Sequence, residues 1–100
     1  MAVSEEQVFE ALRAVEDPEL GMDVVDLGLV YDVRIDEAGA VTVVYTLTSM
    51  GCPAGALIEE QMREVVGTMA GVTDLQLECV WSPPWSPEMM SEDAKFVLGF

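Results

Sequence analysis

The chain reads as an α+β fold of two layers, a three-stranded mixed sheet with helices on one face, and three observations lead there. Two stretches of strict apolar alternation, residues 29–35 and 41–47, follow one another across the polar turn Asp36-Glu37-Ala38-Gly39, the pattern of a hairpin with one buried face. Two other stretches, residues 8–15 and 57–69, repeat every three to four residues, so each is a helix with one apolar stripe. A third alternating run, residues 75–81, comes after the second helix, and such a crossover lets it lie parallel to a hairpin strand. The order α-β-β-α-β-α asks for helices layered on one side of the sheet. Residues 1–100 are expected to form one domain, with no length for a second.

Ser4 is placed to open the first helix. Gln7 completes a capping box, and Val3 and Val8 are spaced as a hydrophobic staple. Val8, Phe9, Leu12 and Val15 make its apolar stripe, and Pro18 is the expected stop because the residue before a proline is pushed out of the helical region. Asp17-Pro18-Glu19-Leu20-Gly21 is a turn with two carboxylates. The run Val24-Val25-Asp26-Leu27-Gly28 fits a helical turn or a strand entry. Leu29, Tyr31, Val33 and Ile35 then face inward, as do Val41, Val43, Tyr45 and Leu47 on the next strand.

The second helix is expected from Cys52-Pro53 to about Ala70, with Gly71 just beyond its end. Its stripe is Leu57, Ile58, Met62, Val65, Val66 and Met69, and an interior Gly67 costs about 1 kcal/mol against alanine. Leu75, Leu77, Cys79 and Trp81 point inward from the last strand. Ser82-Pro83-Pro84-Trp85-Ser86-Pro87 reads as extended, since three prolines forbid helix and starve a sheet ladder. Ser91 caps a last short helix through Phe96.

Charge narrows the function. Four Lys and Arg against 19 Asp and Glu leave a net −15, with no histidine. Such a surface repels phosphate backbones and anionic membranes, so nucleic acid and membrane are excluded as partners, and basic proteins or metal cations fit better. The N-terminus lacks a basic region and an apolar run, no stretch approaches a membrane span, and the cytoplasm is the expected compartment. There Cys52 and Cys79 stay reduced. Without histidine no Ser-His-Asp or Cys-His dyad exists, no Gly-rich loop carries the Lys-Ser/Thr of a phosphate site, and an enzyme is not expected.

Cys52 is the leading candidate for chemistry. It falls where an N-cap would be, with Pro53 at the first helical position and no carboxylate before Glu59. The free N–H groups and positive dipole end of a helix favour thiolate over thiol. Small Ala54, Gly55 and Ala56 leave room for a ligand. The bland alternative is a small hydrophobe capping a helix. Cys79 shares parity with core residues and reads as structural. Asp17 and Glu19 could bind a hard cation or close their own turn. Thr46, Thr48 and Ser49 carry hydroxyls near the sulfur, more often used to satisfy backbone. Trp81, Trp85 and the methionines Met50, Met89 and Met90 suggest a lid or partner surface against a plainer packing role.

Four motifs in order resemble a known family: Asp17-Pro18-Glu19-Leu20; Val25-Asp26-Leu27-Gly28-Leu29-Val30-Tyr31; Thr46-Leu47-Thr48 followed by Gly51-Cys52-Pro53; and Trp81-Ser82-Pro83-Pro84-Trp85. Together they are similar to the SufT/PaaD-like (MIP18-type) iron–sulfur cluster assembly domains, across nearly the whole chain. The resemblance implies an iron–sulfur assembly fold and a role in maturing iron–sulfur proteins. It implies Cys52 as the reactive or metal-binding thiol, with Asp17, Glu19, Thr48 and Pro53 in support, while Trp85, Met89 and Met90 are read from their residue types as the partner surface. It implies client apoproteins and other assembly proteins as partners, a transient iron or iron–sulfur cargo with none tightly bound, and a homodimer as one way to complete the ligand set. The alternative is an adaptor that binds no metal and bridges clients to cluster carriers, including a PaaD-like role in maturing an oxygenase. No cysteine-rich tail follows Phe100, which favours the general assembly branch.

Overall fold

The computed structural model describes residues 3–18, 20–48 and 54–99. Ser4 opens α1 (Glu5–Leu12) through the expected capping box: its Oγ accepts the Gln7 N–H at 3.1 Å, and its own N–H donates to Gln7 Oε1 at 2.9 Å. Val8, Leu12 and Val15 are fully buried and Phe9 only partly. The helix ends at Leu12 rather than at Pro18. The Val15 carbonyl is taken by the Val24 N–H at 2.9 Å, which leads the chain into a small hairpin, β1 (Glu16–Asp17) and β2 (Met22–Asp23). Its turn is closed by the Leu20 and Gly21 N–H groups on the Asp17 carbonyl, at 3.2 and 2.8 Å.

Residues 24–28 resolve as a turn, not a strand entry. Asp23 Oδ2 accepts the N–H groups of Val25 and Asp26 at 3.1 and 2.9 Å. The sheet is β3 (Val30–Ile35), β4 (Ala40–Tyr45) and β5 (Asp74–Cys79), in the order β3-β4-β5. β3 is antiparallel to β4 and β5 is parallel to it, as the crossover predicts, with Val43 between Val33 and Leu77. An irregularity between Val30 and Asp32 shifts the register. Tyr31, expected inward, is half-buried there, and its hydroxyl donates to the Pro83 carbonyl at 2.7 Å.

α2 (Ala54–Gly67) buries Ile58, Met62 and Val66, with Val65 and Met69 partly covered. Leu57, placed in the stripe from sequence, is 51% exposed. The helix stops at Gly67, expected as an interior residue, rather than running on to Ala70. The chain turns through Met69 N–H to Val66 O and Val72 N–H to Met69 O, and the Thr73 N–H reaches the Gly39 carbonyl at 3.0 Å. Gly71 does take a positive φ, +91°, but four residues after the helix ends.

α1 packs on β3 and α2, and α2 packs on β5, so both cover one face of the sheet. The core they enclose is Val8, Leu12, Val33, Val41, Val43, Tyr45, Ile58, Met62 and Val66, all at most 1% exposed. The opposite face carries Asp32, Arg34, Thr42, Gln76 and Glu78, with Arg34 bridging Asp32 at 3.6 Å and Glu78 at 3.4 Å. Trp81 lies past the end of β5 and is 42% exposed, against its expected inward parity. Pro87 heads a single 3-10 turn, Pro87–Met89, so the proline segment is extended only before it. Ser91 caps α3 (Glu92–Leu98), its Oγ accepting the Ala94 N–H at 3.1 Å, and the helix runs two residues past Phe96.

Candidate functional site

β4 delivers the chain to the motif segment at the end of the sheet where the parallel strands β4 and β5 also finish, the end at which open sheets with helical crossovers commonly bind ligands. Thr46 follows the strand directly. It is fully buried, its N–H donates to the Leu29 carbonyl at 2.8 Å, and its Oγ1 makes no hydrogen bond of good geometry among the described residues. Burial raises the phenol pKa of the neighbouring Tyr31, and the Thr46 hydroxyl lowers it by less. Thr48 is half-buried. Cys52, Pro53 and Glu19 lie outside the described residues, as do Ser49 and Met50.

α2 begins two residues after Cys52 and has no acidic residue in its first turn. The earliest carboxylate, Glu59, is held elsewhere: the Tyr45 hydroxyl donates to Glu59 Oε2. Burial, and then the neighbouring Glu59, push the Tyr45 phenol far above its ordinary pKa. Tyr45 pairs in register with Cys79, so phenol, carboxylate and thiol meet under the start of α2. Burial raises the Cys79 thiol pKa and the Glu59 charge raises it further, against a smaller lowering by Tyr45. A thiol so placed stays protonated and a poor nucleophile. The reading of residue patterns missed this cluster. Its only signal was Tyr45 among the inward positions of a strand, where a buried hydroxyl must find a partner.

The room expected from the small residues at the start of α2 is partly used. A Cβ at Gly55 would stand 2.8 Å from Leu47 Cδ1, so this glycine admits the leucine side chain over α2 rather than leaving open space. Asp17 is 1% exposed and partnered, and its hairpin is tied to α2 through Glu16, whose N–H donates to Gln61 Oε1 at 3.4 Å. It is an internal group of the turn and not an open carboxylate. Among the described residues no three Cys, Asp or Glu side chains gather as a metal cage.

The expected partner surface divides. The Trp85 indole N–H donates to the Leu27 carbonyl at 2.7 Å, and the side chain packs partly against the core. Met90 is 4% exposed and belongs to the core, so it contributes no surface; the segment is pulled in because the Ser91 N–H binds the Asp26 carbonyl at 2.7 Å. Met89 alone of the three is clearly exposed, at 37%, with its sulfur 3.5 Å from the Tyr31 hydroxyl. The Met89 backbone sits so close to Gly28 that a Cβ there would be 2.3 Å from the Met89 carbonyl oxygen. Tyr31, Thr46, Pro83 and Met89 thus form one cluster and Tyr45, Glu59 and Cys79 another, on either side of the chain that leaves β4.

Among the described residues no helix is long and apolar enough to cross a membrane. A family model described as an iron–sulfur cluster assembly protein matches residues 5–77. The chain is 46% identical over 94 residues to the Fe-S protein maturation auxiliary factor YitW of Bacillus subtilis, covering 94% of this chain and 92% of that protein. It is 52% identical over 85 residues to the Fe-S protein maturation auxiliary factor SufT of Staphylococcus aureus, covering 85% and 97%. The fold matches the crystal structure of a domain of unknown function, DUF59, from Bacillus anthracis with a TM-score of 0.92 at 44% identity, over 96% of this chain and 92% of the other.

Proposed function

The chain belongs to the family of iron–sulfur cluster assembly proteins, and from that membership we propose that it matures iron–sulfur proteins in the cytoplasm by carrying iron or a cluster transiently on Cys52. The observation that carries the reading is the composition of the α2 start. No carboxylate occupies its first turn, and the earliest, Glu59, is directed to the Tyr45 hydroxyl, so no first-turn charge offsets the positive end that Cys52 precedes in the sequence. A thiolate favoured there is a soft ligand for iron.

One cysteine cannot complete a cluster's ligand set, which takes four thiolates in the common types. The others come from Cys52 of a second subunit, from a small thiol or from a client's cysteines. Incomplete ligation suits hand-over to a client apoprotein better than storage, and the role is carriage with no turnover of substrate. Asp17, buried and partnered, holds the turn to which Glu19 belongs and stays outside the ligand set.

Anaerobic reconstitution with iron and sulfide, read by absorbance and by mass in solution, tests this. Wild type is expected to take up a cluster with dimerisation, Cys52→Ser to take up none while keeping its fold, and Cys79→Ser to behave as wild type. Equal uptake by wild type and Cys52→Ser overturns it. No uptake by any of them also overturns it and turns attention to the adaptor role, in which the exposed Met89 and Trp81 are the groups to mutate.

A further inference from the structure

We propose that the outward face of α3 is a docking surface for a cationic, apolar-faced segment of a partner protein. α3 is fixed on its inner side. Ala94 is fully buried, the preceding Met90 is 4% exposed, and the Ser91 N–H binds the Asp26 carbonyl at 2.7 Å. What the helix turns outward is Glu92, Asp93, Phe96 and Val97, all exposed. Residues four apart stack on one helix face. Glu92 therefore lies one turn below Phe96, and Asp93 one turn below Val97. Phe96 is 88% exposed and Val97 66%, the two most exposed large apolar side chains among the described residues.

Scattered exposed hydrophobics are ordinary. Two adjacent ones on the solvent side of one helix, each with a carboxylate one turn beneath it, are a composite surface: apolar area to bury and negative charge to match. Charge complementarity selects the occupant. The chain carries −15, so it repels anionic membranes and nucleic acid from this face as from any other. It also disfavours a second copy. Of the four cationic side chains in the chain, Arg13 pairs with Glu10 and Asp26, and Arg34 with Asp32 and Glu78, which leaves Arg63 and Lys95, the latter half-buried on α3 itself, to meet the 19 acids of a like molecule. A protein segment with lysines or arginines flanking apolar residues satisfies both halves of the surface.

The test uses a short helix-forming peptide with a leucine stripe flanked by lysines, and its glutamate counterpart, against the full chain by fluorescence anisotropy and amide chemical-shift mapping. The lysine peptide is expected to bind and to shift residues 92–97, and the glutamate peptide not to bind. Phe96→Ser with Val97→Ser should weaken binding about tenfold or more. Glu92→Gln with Asp93→Asn should weaken it and flatten its salt dependence. Both pairs change exposed side chains, and thermal melts matching wild type establish that they fold. Binding unaffected by the Phe96 and Val97 changes, or shifts centred elsewhere, means diffuse attraction to an acidic protein and overturns the proposal. Self-association of the free chain that Phe96→Ser abolishes assigns the face to a second copy and overturns it equally.

Discussion

The two cysteines differ in the acidic groups placed beside them, Cys79 within the described structure and Cys52 by its place in the sequence just before α2. Cys79, at the end of β5, shares its surroundings with the Glu59 carboxylate and the Tyr45 hydroxyl, and burial with that charge pushes its thiol up. Cys52 precedes α2 by two residues, and the first turn it precedes is free of acids. In a chain of net −15, a reactive thiol depends on where the carboxylates are held. Tyr45 holds the nearest one on α2. Burial and the Glu59 charge hold the Cys79 proton, and the Tyr45 hydrogen bond holds Glu59 at the strand end.

The difference can be broken most strongly at Tyr45. Tyr45→Phe removes the donor to a half-buried carboxylate, and urea melts should show a loss of about 1.5–3 kcal/mol, the range for hydrogen bonds to charged groups. A stability equal to wild type would mean that water replaces the phenol at no cost.

pH sharpens the comparison with a smaller effect. Cys79 and Tyr45 both bind their protons more tightly in the folded chain than in the unfolded one. Their contribution to stability is thus complete below the unfolded thiol pKa of about 8.5, and it falls as pH rises through and above that value. Denaturant midpoints from neutral to strongly alkaline pH should decline. In Cys79→Ser the first part of the decline should vanish, leaving the later part, which begins near the unfolded tyrosine value of about 10. A Cys79→Ser curve that superimposes on wild type would remove the thiol from the account.

The smallest expected change is chemical. Glu59→Gln removes the charge beside Cys79, so the pH midpoint for alkylating that thiol should move down, read by mass spectrometry of the modified chain. Alkylation of Cys52 should change little. If Cys52 alone shifts, Glu59 acts on the helix start and the assignment of the two thiols is reversed.

Much of this was legible because it is local. The capping box at Ser4, the cap at Ser91 and the hairpin across 36–39 each depend on residues within one turn of each other. The alternation in β4 placed Val41, Val43 and Tyr45 in the core. At the candidate site, Cys52 stood out on residue type and position alone. The hairpin of β1 and β2 did not, because strands of two residues carry no period. Nor did the fate of the Trp85–Met90 segment, where prolines erase the pattern and a backbone approach to Gly28 decides what is buried.

By itself the sequence determined the fold class, the parallel placement of β5 after a helical crossover, and the family, since these rest on periodicities and on ordered motifs along the chain. Only the tertiary structure decided where α1 and α2 stop, which side chain fills the space above Gly55, and that Tyr45, Glu59 and Cys79 share one site. Those outcomes depend on groups far apart in the chain competing for the same hydrogen bonds and the same volume. Such competition has no periodicity along the chain to read.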